Sequence, residues 1–338
     1  MVSKEINRRI DTLDYLRGFA LLGIILINVV FLLDSPMPTI HSIDVTYQKF
    51  LYFFIEGRFY TIFSFLFGVG FYIFISRANS KGKNGIVLFL RRIGAMFVFG
   101  VVHSFFHPGE ALTVYAIAGL MVLPFYKIKK EVNLVVGLML LIIFALMATK
   151  ILLPIPLILL GLTAGQYKVF EHISLKINKI FIITLIMFVL SVLGLYYQYL
   201  HLPFGDKQIN GSHSFIASGI MIGPIISAFY VCLLILLLRF RFFKKLFFPL
   251  KSYGRMSLTN YIMQTVLILV SGHLFHLIGE ITYFETLFLC LSIYLVQMIF
   301  SMVWLHYFFM GPLEWIWRWI TYLEAPKLKK ECLDNGFM

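Results

Sequence analysis

Long blocks of apolar residues, separated by short polar segments, dominate this chain of 338 residues. A helix needs about 17–25 apolar residues to cross the hydrocarbon core of a bilayer, and ten blocks reach or approach that length. They predict spans at residues 16–33, 60–76, 85–105, 111–126, 132–149, 151–167, 180–200, 214–238, 256–278 and 283–309. The sixth block is short and contains Pro154 and Pro156, so both a full span and a re-entrant element fit it.

Composition supports a membrane protein. Hydrophobic residues make up 60% of the chain and charged residues 13%, against about 25% charged residues in soluble domains. No polar stretch is long enough to fold alone. We therefore predict an all-α, polytopic integral membrane protein with one membrane domain over residues 1–338. It comprises an N-terminal part at 13–126, a C-terminal part at 127–322 and a cytoplasmic tail at 323–338.

The basic residues predict the orientation. If the N-terminus is inside and the spans alternate, all but four of the 29 basic residues fall on the cytoplasmic side; the exceptions are Lys49, Arg58, Lys150 and Lys207. Lys and Arg are enriched in cytoplasmic loops, so we predict about ten spans with both termini in the cytoplasm. This scatter of short basic clusters also explains the net charge of +13. The expected partner is the lipid bilayer and not nucleic acid.

Three polar residues share one face of the first predicted span. Asp14 and Arg17 are three residues apart and can pair at the cytoplasmic edge. Asn28 follows Arg17 by eleven residues, close to three helical turns, and so lies on the same face about 16 Å deeper. Polar groups at membrane depth indicate a functional site. Hydrogen bonding between packed helices explains the same geometry equally well.

Titratable residues collect on the predicted outer side. His41 lies in the first outer loop, and Arg58 enters the second span either as a site residue or as an anchor at head-group level. His103, His107 and Glu110 lie within one outer hairpin. Two imidazoles and a carboxylate this close together can share protons, as a general acid and base do. A single histidine near a helix end, in contrast, is more often a capping or interfacial residue.

The predicted inner side combines basic residues with a polar stripe. Arg91 and Arg92 lie at the inner end of the third span, and Arg255 immediately precedes the ninth. The ninth span carries polar residues at i, i+3, i+4 and i+7 on one face: Ser257, Asn260, Tyr261 and Gln264. They indicate either a pocket for an anionic group or a hydrogen-bonded seam between helices, and the stripe alone favours the seam.

These segments resemble a known family. The shared motifs are Leu13-Asp14-x-Leu16-Arg17-Gly18, Ser64-Phe65-Leu66-Phe67-Gly68, Arg91-Arg92 with Gly100-x-x-His103, Gly109-Glu110-x-Leu112-x-x-Tyr115, Gly254-Arg255-Met256-Ser257-Leu258-Thr259-Asn260-Tyr261 and Gly311-Pro312-Leu313-Glu314-Trp315-x-Trp317-Arg318. From residue 13 to 322 the chain is similar to the bacterial DUF418 (YeiB-like) membrane proteins. That family usually has Asp where this chain has Glu110, which keeps the carboxylate. The resemblance implies a multi-pass protein of the bacterial plasma membrane.

The opening motif also resembles transmembrane acyltransferases of the acyltransferase-3 and heparan-glucosaminide acetyltransferase groups, which move an acyl group from cytoplasmic acyl-CoA to an acceptor across the membrane. The first group has His at the position of Asn28. The second has Asn there and a His in the following loop, which His41 matches with a spacing of thirteen residues instead of eleven.

The resemblance therefore implies roles for several residues. Four arginines would hold CoA phosphates: Arg17, Arg91, Arg92 and Arg255. His41 or His103 would take a proton from the acceptor, Glu110 would orient the histidine, and Asn28 would lie near the acyl path.

Two other functions remain open from the sequence. A transporter or flippase for an anionic or lipid-like solute would use the same buried Arg, Asn and His residues to line a path, although no inverted repeat is visible. A non-catalytic scaffold would use them only as contacts between helices. The sequence carries no metal or flavin motif, and acyl-CoA is the only cofactor-like molecule implied. The acceptor and the oligomeric state are not indicated.

Overall fold

The computed structural model describes residues 10–39, 41–171, 173–203 and 209–330. Within these ranges the long elements are all helices: α1 (Asp11–Leu32), α2 (Ile43–Phe50), α3 (Phe59–Ser80), α4 (Gly85–Ser104), α5 (Leu112–Val122), α6 (Lys130–Leu146), α7 (Pro154–Gln166), α8 (Ile177–Leu200), α9 (His213–Leu237), α10 (Arg241–Leu246), α11 (Phe248–Arg255), α12 (Ser257–Leu274), α13 (Tyr283–Tyr307) and α14 (Pro312–Tyr322). The prediction of an all-α protein is confirmed.

Six stretches of the described chain are long and apolar enough to cross a membrane: Asp11–Leu32, Ile43–Ser80, Gly85–Ser104, Ile177–Leu200, His213–Leu237 and Tyr283–Tyr307. Their outward faces are apolar and exposed; on α8, for example, Phe181, Ile182 and Leu193 are each more than half exposed. Exposed apolar surface of this extent indicates a lipid environment. Helices also lie at the other four predicted spans but are shorter or less apolar, so the count of ten and the orientation stay predictions.

The sixth predicted span is a short helix inside the bundle. The helix α7 has 13 residues, and at 1.5 Å per residue it is about 20 Å long, less than the hydrocarbon thickness of about 30 Å. Most of its residues are buried. Its two prolines lie in the first turn, where a missing backbone N–H leaves no helical hydrogen bond unmade. This short helix is therefore one of the walls against which the longer helices pack.

Glycines allow two pairs of helix backbones to touch. A Cβ atom on Gly68 of α3 would lie 2.0 Å from the carbonyl oxygen of Ile158 on α7. On the other side of the bundle, a Cβ atom on Gly254 would lie 1.9 Å from the carbonyl oxygen of Asp14, and one on Gly18 would lie 2.2 Å from that of Leu250. Small residues permit this close approach in membrane helices. As a result, α3 meets α7 and α1 meets α11 at backbone contact.

Arg58 is buried inside the bundle and connects three helices. Arg58 is only 1% exposed to solvent. The guanidinium donates to Oε1 of Gln198 on α8 at 2.8 Å, to the carbonyl of Gly219 on α9 at 3.2 Å, and to the carbonyl of Glu56. A buried charge requires partners of this kind, because leaving it unpaired is expensive. In this structure Arg58 therefore joins α3, α8 and α9.

Candidate active site

A cavity of about 1480 Å³ runs along the bundle. Two helices each contribute lining residues that are far apart along the helix: α1 contributes Arg17 and Asn28, and α3 contributes Tyr60 and Arg77. Seventeen residues of helix separate Tyr60 from Arg77, which corresponds to about 25 Å at 1.5 Å per residue. The cavity therefore extends over most of the thickness of a bilayer.

We call one end of this cavity the basic end. Eight basic residues line it: Arg17, Arg77, Lys81, Lys83, Arg92, Arg255, Arg318 and Lys327. Three acidic residues of the described chain line the same region, Asp14, Glu314 and Glu324. Positive charge thus exceeds negative charge there. A cleft lined by an excess of one sign of charge concentrates ligands of the opposite sign.

The glycine contacts bring Arg17 and Arg255 to this end. Each arginine is adjacent to a glycine in the sequence, since Arg17 precedes Gly18 and Arg255 follows Gly254. These two glycines hold α1 and α11 at backbone contact. Nη1 of Arg17 lies 3.3 Å from Oδ1 of Asp14, so the predicted pair forms. Nη2 of Arg255 donates to the carbonyl of Phe309 at 2.8 Å.

Arg92 is placed by two aromatic residues, Trp317 of α14 and Phe74 of α3. Its guanidinium lies 3.5 Å from the ring centre of Trp317 and 5.0 Å from that of Phe74. The indole N–H of Trp317 donates to the carbonyl of Arg92 at 2.8 Å. Stacking of this kind fixes the plane of a guanidinium and leaves its edge free to donate hydrogen bonds. Arg91 is exposed on the other face and is not among the described residues that line the cavity.

Glu314 lines the cavity, although the sequence interpretation did not name it among the candidate site residues. Its carboxylate accepts hydrogen bonds from Leu258 N–H at 2.7 Å, Thr259 N–H at 3.1 Å and the Thr259 hydroxyl at 2.6 Å. These N–H groups belong to the first turn of α12, where backbone donors lack helical partners. Glu314 therefore caps α12 at the basic end. Its place in the Gly311-Pro312-Leu313-Glu314 motif was the available signal.

We call the opposite end of the cavity the titratable end. Its polar lining residues are Asn28, Glu56, Tyr60, Glu110, Tyr115, Lys150 and Tyr261. Lys150 pairs with Glu56 at the mouth. Asn28 makes no hydrogen bond within the described chain, so its amide is available to a ligand. This end carries carboxylate, amide and phenol groups in place of the arginines of the basic end.

Glu110 is the carboxylate at the centre of the titratable end. Its two oxygens accept the N–H groups of Leu112 and Thr113, both at 2.7 Å, so it caps α5. Burial tends to raise the pKa of Glu110, but the hydrogen bonds from these neighbours and the nearby His103 outweigh it and hold the pKa below its usual value. Glu110 is therefore ionised at neutral pH.

His103 lies behind Glu110, away from the cavity lining. Its Nδ1 is 3.9 Å from Oε2 of Glu110, just beyond hydrogen-bonding distance, and its Nε2 is 2.9 Å from the hydroxyl of Thr265. No hydrogen-bond partner for Nδ1 occurs in the described chain. The structure thus brings His103 and Glu110 together as predicted from the sequence. Glu110, however, is the member that faces the cavity.

The remaining two histidines have different environments. His107 is 4% exposed, its ring packs edge-on against His103, and its Nε2 has no partner among the described residues. Burial, reinforced by His103 and opposed by Glu110, lowers the pKa of His107 to about 4. His41 is exposed, has a positive φ of 66°, and does not line the cavity in the described structure.

The polar stripe of α12 divides between the two interpretations. Ser257 and Tyr261 line the cavity. Asn260 instead donates to the Ser301 hydroxyl at 2.9 Å, and Gln264 donates to the Tyr253 hydroxyl at 2.5 Å. Asn260 and Gln264 thus form a hydrogen-bonded seam with α11 and α13, because the stripe is wide enough to face two neighbours.

Two family models match the chain, one over each half. The model described as heparan-alpha-glucosaminide N-acetyltransferase, catalytic, matches residues 9–176. The model described as protein of unknown function (DUF418) matches residues 164–324. The first contains Arg17, Arg92, His103 and Glu110, and the second contains Arg255 and Tyr261. The cavity is therefore formed by residues from both matched regions.

Similar proteins occur in several bacteria. The "Uncharacterized 39.9 kDa protein in amylase 3'region" of Bacillus acidopullulyticus is 56% identical over 341 residues, covering 97% of this chain and 99% of that protein. YxaH of Bacillus subtilis (strain 168) is 28% identical, covering 96% of this chain and 97% of YxaH. YeiB of Escherichia coli (strain K12) is 39% identical over 90 residues, covering 25% of this chain and 23% of YeiB.

No solved structure matches this chain. The family assignment thus comes from sequence similarity and from the helical membrane architecture together. The chain belongs to the DUF418 (YeiB-like) family of multi-pass membrane proteins, and its first half is similar to the catalytic domain of heparan-alpha-glucosaminide N-acetyltransferase.

Proposed function

We propose that this protein is a membrane-embedded acyltransferase that takes an acyl group from cytoplasmic acyl-CoA and transfers it to an acceptor at the outer face. The observation that carries the proposal is the cavity itself, which joins an arginine-rich end to an end built around Glu110. The match of residues 9–176 to an acetyltransferase catalytic domain supports the same class of reaction. The protein would lie in the bacterial plasma membrane with its basic end and both termini in the cytoplasm.

The basic end suits the phosphate groups of CoA. Arg17, Arg92 and Arg255 line it together, and the guanidinium fork matches phosphate oxygens in pairs. The stacking of Arg92 on Trp317 keeps one such fork in place without a ligand. Arg91 is exposed and outside the lining, so we assign the phosphate contact to Arg92 and not to its neighbour.

The thioester would then extend along the cavity past Asn28 towards the titratable end. An acceptor hydroxyl or amine attacks the carbonyl carbon, a new C–O or C–N bond forms, and the C–S bond breaks. The acceptor loses one proton to a base, and the departing CoA thiolate takes up one proton to leave as the thiol. Donor and acceptor approach from opposite ends, which brings the reacting atoms together in one enclosed site.

Glu110 and His103 form the base in this proposal. Glu110 faces the cavity and is the first group that an acceptor proton meets, while His103 lies 3.9 Å behind it with an unpartnered Nδ1 in the described structure. A proton received at the carboxylate can pass to the imidazole, which lowers the energy of the charge separation. His41, exposed and outside the lining, has no part in this arrangement.

A transporter or flippase for an anionic or lipid-like solute is the second candidate. The observation that favours it is the continuity of the cavity between the two ends, since a translocation path needs the same continuity. Uptake of a solute by proteoliposomes without an acyl donor would support this candidate over acyl transfer.

The decisive experiment measures thermal unfolding of the detergent-purified protein with acetyl-CoA and with longer acyl-CoAs. At a ligand concentration of 100 Kd, binding stabilises the folded state by about 2.7 kcal/mol, so a clear rise in Tm is expected. Arg17→Ala and Arg255→Ala should lose the rise, whereas Arg91→Ala, the exposed neighbour of Arg92, should keep it. A well-folded protein that shows no rise with any acyl-CoA would contradict the proposal and make uptake assays the next step.

A further inference from the structure

The hydroxyl group of Tyr261 has a hydrogen to donate and no acceptor within the described chain. Tyr261 lies on α12, lines the cavity and is 6% exposed. Its phenol oxygen accepts the backbone N–H of Ala111 at 3.1 Å, and Ala111 also lines the cavity. A phenol that accepts one hydrogen bond still has its own O–H to give. A buried O–H of this kind requires a partner, and the cavity is where a partner can lie.

We infer that Tyr261 is a catalytic residue that donates its O–H hydrogen bond to the carbonyl oxygen of the transferred acyl group. This inference rests on the acyl transfer proposed above. When the acceptor attacks, the C=O π electrons move onto oxygen and a negative charge develops there. Tyr261 keeps its proton and only donates the hydrogen bond, and the charge returns to re-form C=O as the C–S bond breaks. Fixed donors aimed at such a charge are a major source of catalysis.

Two neighbouring contacts prepare the hydroxyl for this role. The bond from Ala111 N–H polarises the phenol, because accepting a hydrogen bond strengthens the same group as a donor. The ring is held edge-on against His103, with ring centres 5.1 Å apart and planes at 71°. Tyr261 is therefore preorganised beside the Glu110 and His103 pair, where the acceptor proton is expected to leave.

Tyr115 provides a matched comparison on the same cavity wall. It is also a buried lining tyrosine, 2% exposed. Its hydroxyl, however, donates to the backbone carbonyl of Tyr60 at 3.1 Å, so its hydrogen is already used. Replacing either tyrosine by phenylalanine removes one oxygen atom and keeps the ring. Only the Tyr261 change removes a donor that is free to act on a ligand.

The test is infrared difference spectroscopy of acetyl-CoA labelled with ¹³C at its carbonyl, bound to the full-length protein in lipid vesicles. A hydrogen bond to the carbonyl lowers its stretching frequency. We expect the band of the bound ligand to move to higher wavenumber in Tyr261→Phe and to stay unchanged in Tyr115→Phe. In native membranes, release of CoA thiol should fall about a hundredfold or more in kcat for Tyr261→Phe, with little change in KM.

The outcomes separate this inference from the proposed function. An identical carbonyl frequency in the wild-type protein and Tyr261→Phe, with acetyl-CoA bound to both, overturns the role of Tyr261 and leaves acyl-CoA binding intact. Absence of any bound carbonyl band in the wild-type protein overturns the proposed function and this role with it. The acetyl-CoA-induced rise in Tm, measured on the same variants, establishes that each one is folded.

Discussion

The two ends of the cavity are built on the same structural device but carry different chemistry. At each end a glutamate accepts the free N–H groups of a helix, Glu314 at the start of α12 and Glu110 at the start of α5. Around Glu314 lie arginines, stacked on or bonded to neighbouring residues. Around Glu110 lie two imidazoles, each with one nitrogen that lacks a partner in the described structure, and the phenol of Tyr261, which accepts a hydrogen bond but has no acceptor for its own hydrogen there.

This difference assigns anion binding to the basic end and proton transfer to the titratable end. Arginines that are oriented by other contacts present permanent positive charge, which favours anion binding and takes no part in proton transfer. Imidazole, carboxylate and phenol groups exchange or donate protons, which suits bond making and breaking. A capping glutamate therefore does not identify the chemistry of a site. The residues that surround it determine that chemistry.

The largest effect is expected when the capping glutamates are replaced one at a time. In Glu110→Gln the amide oxygen can still accept a backbone N–H, but the base is lost, and transfer should fall by about a thousandfold. In Glu314→Gln the proton chemistry is untouched, so kcat should change little. Rates of CoA thiol release in native membranes check both variants. A similar loss of kcat in the two variants would contradict the division between the ends.

The two histidines that the sequence offered as the base, His103 and His41, provide the next comparison. His103→Gln removes the group behind Glu110 and should reduce transfer by about a hundredfold. His41→Gln changes an exposed residue outside the cavity and should have no effect. The same thiol-release assay measures both, and the double variant should match His103→Gln alone. A defect in His41→Gln comparable to that of His103→Gln would restore the loop histidine as the base.

A glycine at the basic end should control stability and donor binding together. In Gly254→Ala the new Cβ would lie 1.9 Å from the carbonyl oxygen of Asp14, so α1 and α11 must separate. Such overpacking costs about 1–3 kcal/mol, and the separation also displaces Arg17 from Arg255. We expect a lower Tm and a weaker response to acetyl-CoA.

Gly94 is the matched control for this change. A Cβ atom on Gly94 of α4 meets no atom within 4 Å. Gly94→Ala should therefore keep the Tm of the wild-type protein or raise it slightly, because Ala favours helix more than Gly. Equal destabilisation by Gly94→Ala and Gly254→Ala would show that the contact between α1 and α11 is unimportant.

The smallest predicted effect is a pH dependence confined to the titratable end. Burial lowers the pKa of His107 to about 4, whereas the unfolded chain binds this proton near pH 6.5. Between pH 4 and pH 6.5 the unfolded state therefore binds more protons than the folded state. The contribution of His107 to the free energy of unfolding is fully present above pH 6.5 and falls as the pH drops towards 4. The Tm of the wild-type protein should decrease from pH 7 to pH 5. His107→Gln should flatten this decrease, and an unchanged slope would contradict the assignment.

Predicting from the sequence which side chains lie together succeeded where spacing within a single helix or hairpin determines it. Helical spacing placed Asp14, Arg17 and Asn28 on one face, and all three line the cavity. The close spacing of His103 and Glu110 in one hairpin correctly predicted their proximity. It left alternatives open where the partner decides. From the sequence Arg58 fitted both an anchor and a site residue, whereas in the structure Gln198, 140 residues later, and the carbonyl of Gly219 hold it inside the bundle.

The sequence by itself determined the all-α membrane architecture, the family and the basic character of one side, because these depend on composition and on spacing within single helices. Only the tertiary structure decided that Glu314 caps α12, that Glu110 stands between His103 and the cavity, and that Tyr261 faces the cavity while Gln264 faces a seam. The physical reason is that periodicity fixes which residues share a face. The rotation and depth of each helix against its neighbours are set by packing between distant residues, such as the contact of Gly254 with the backbone of Asp14.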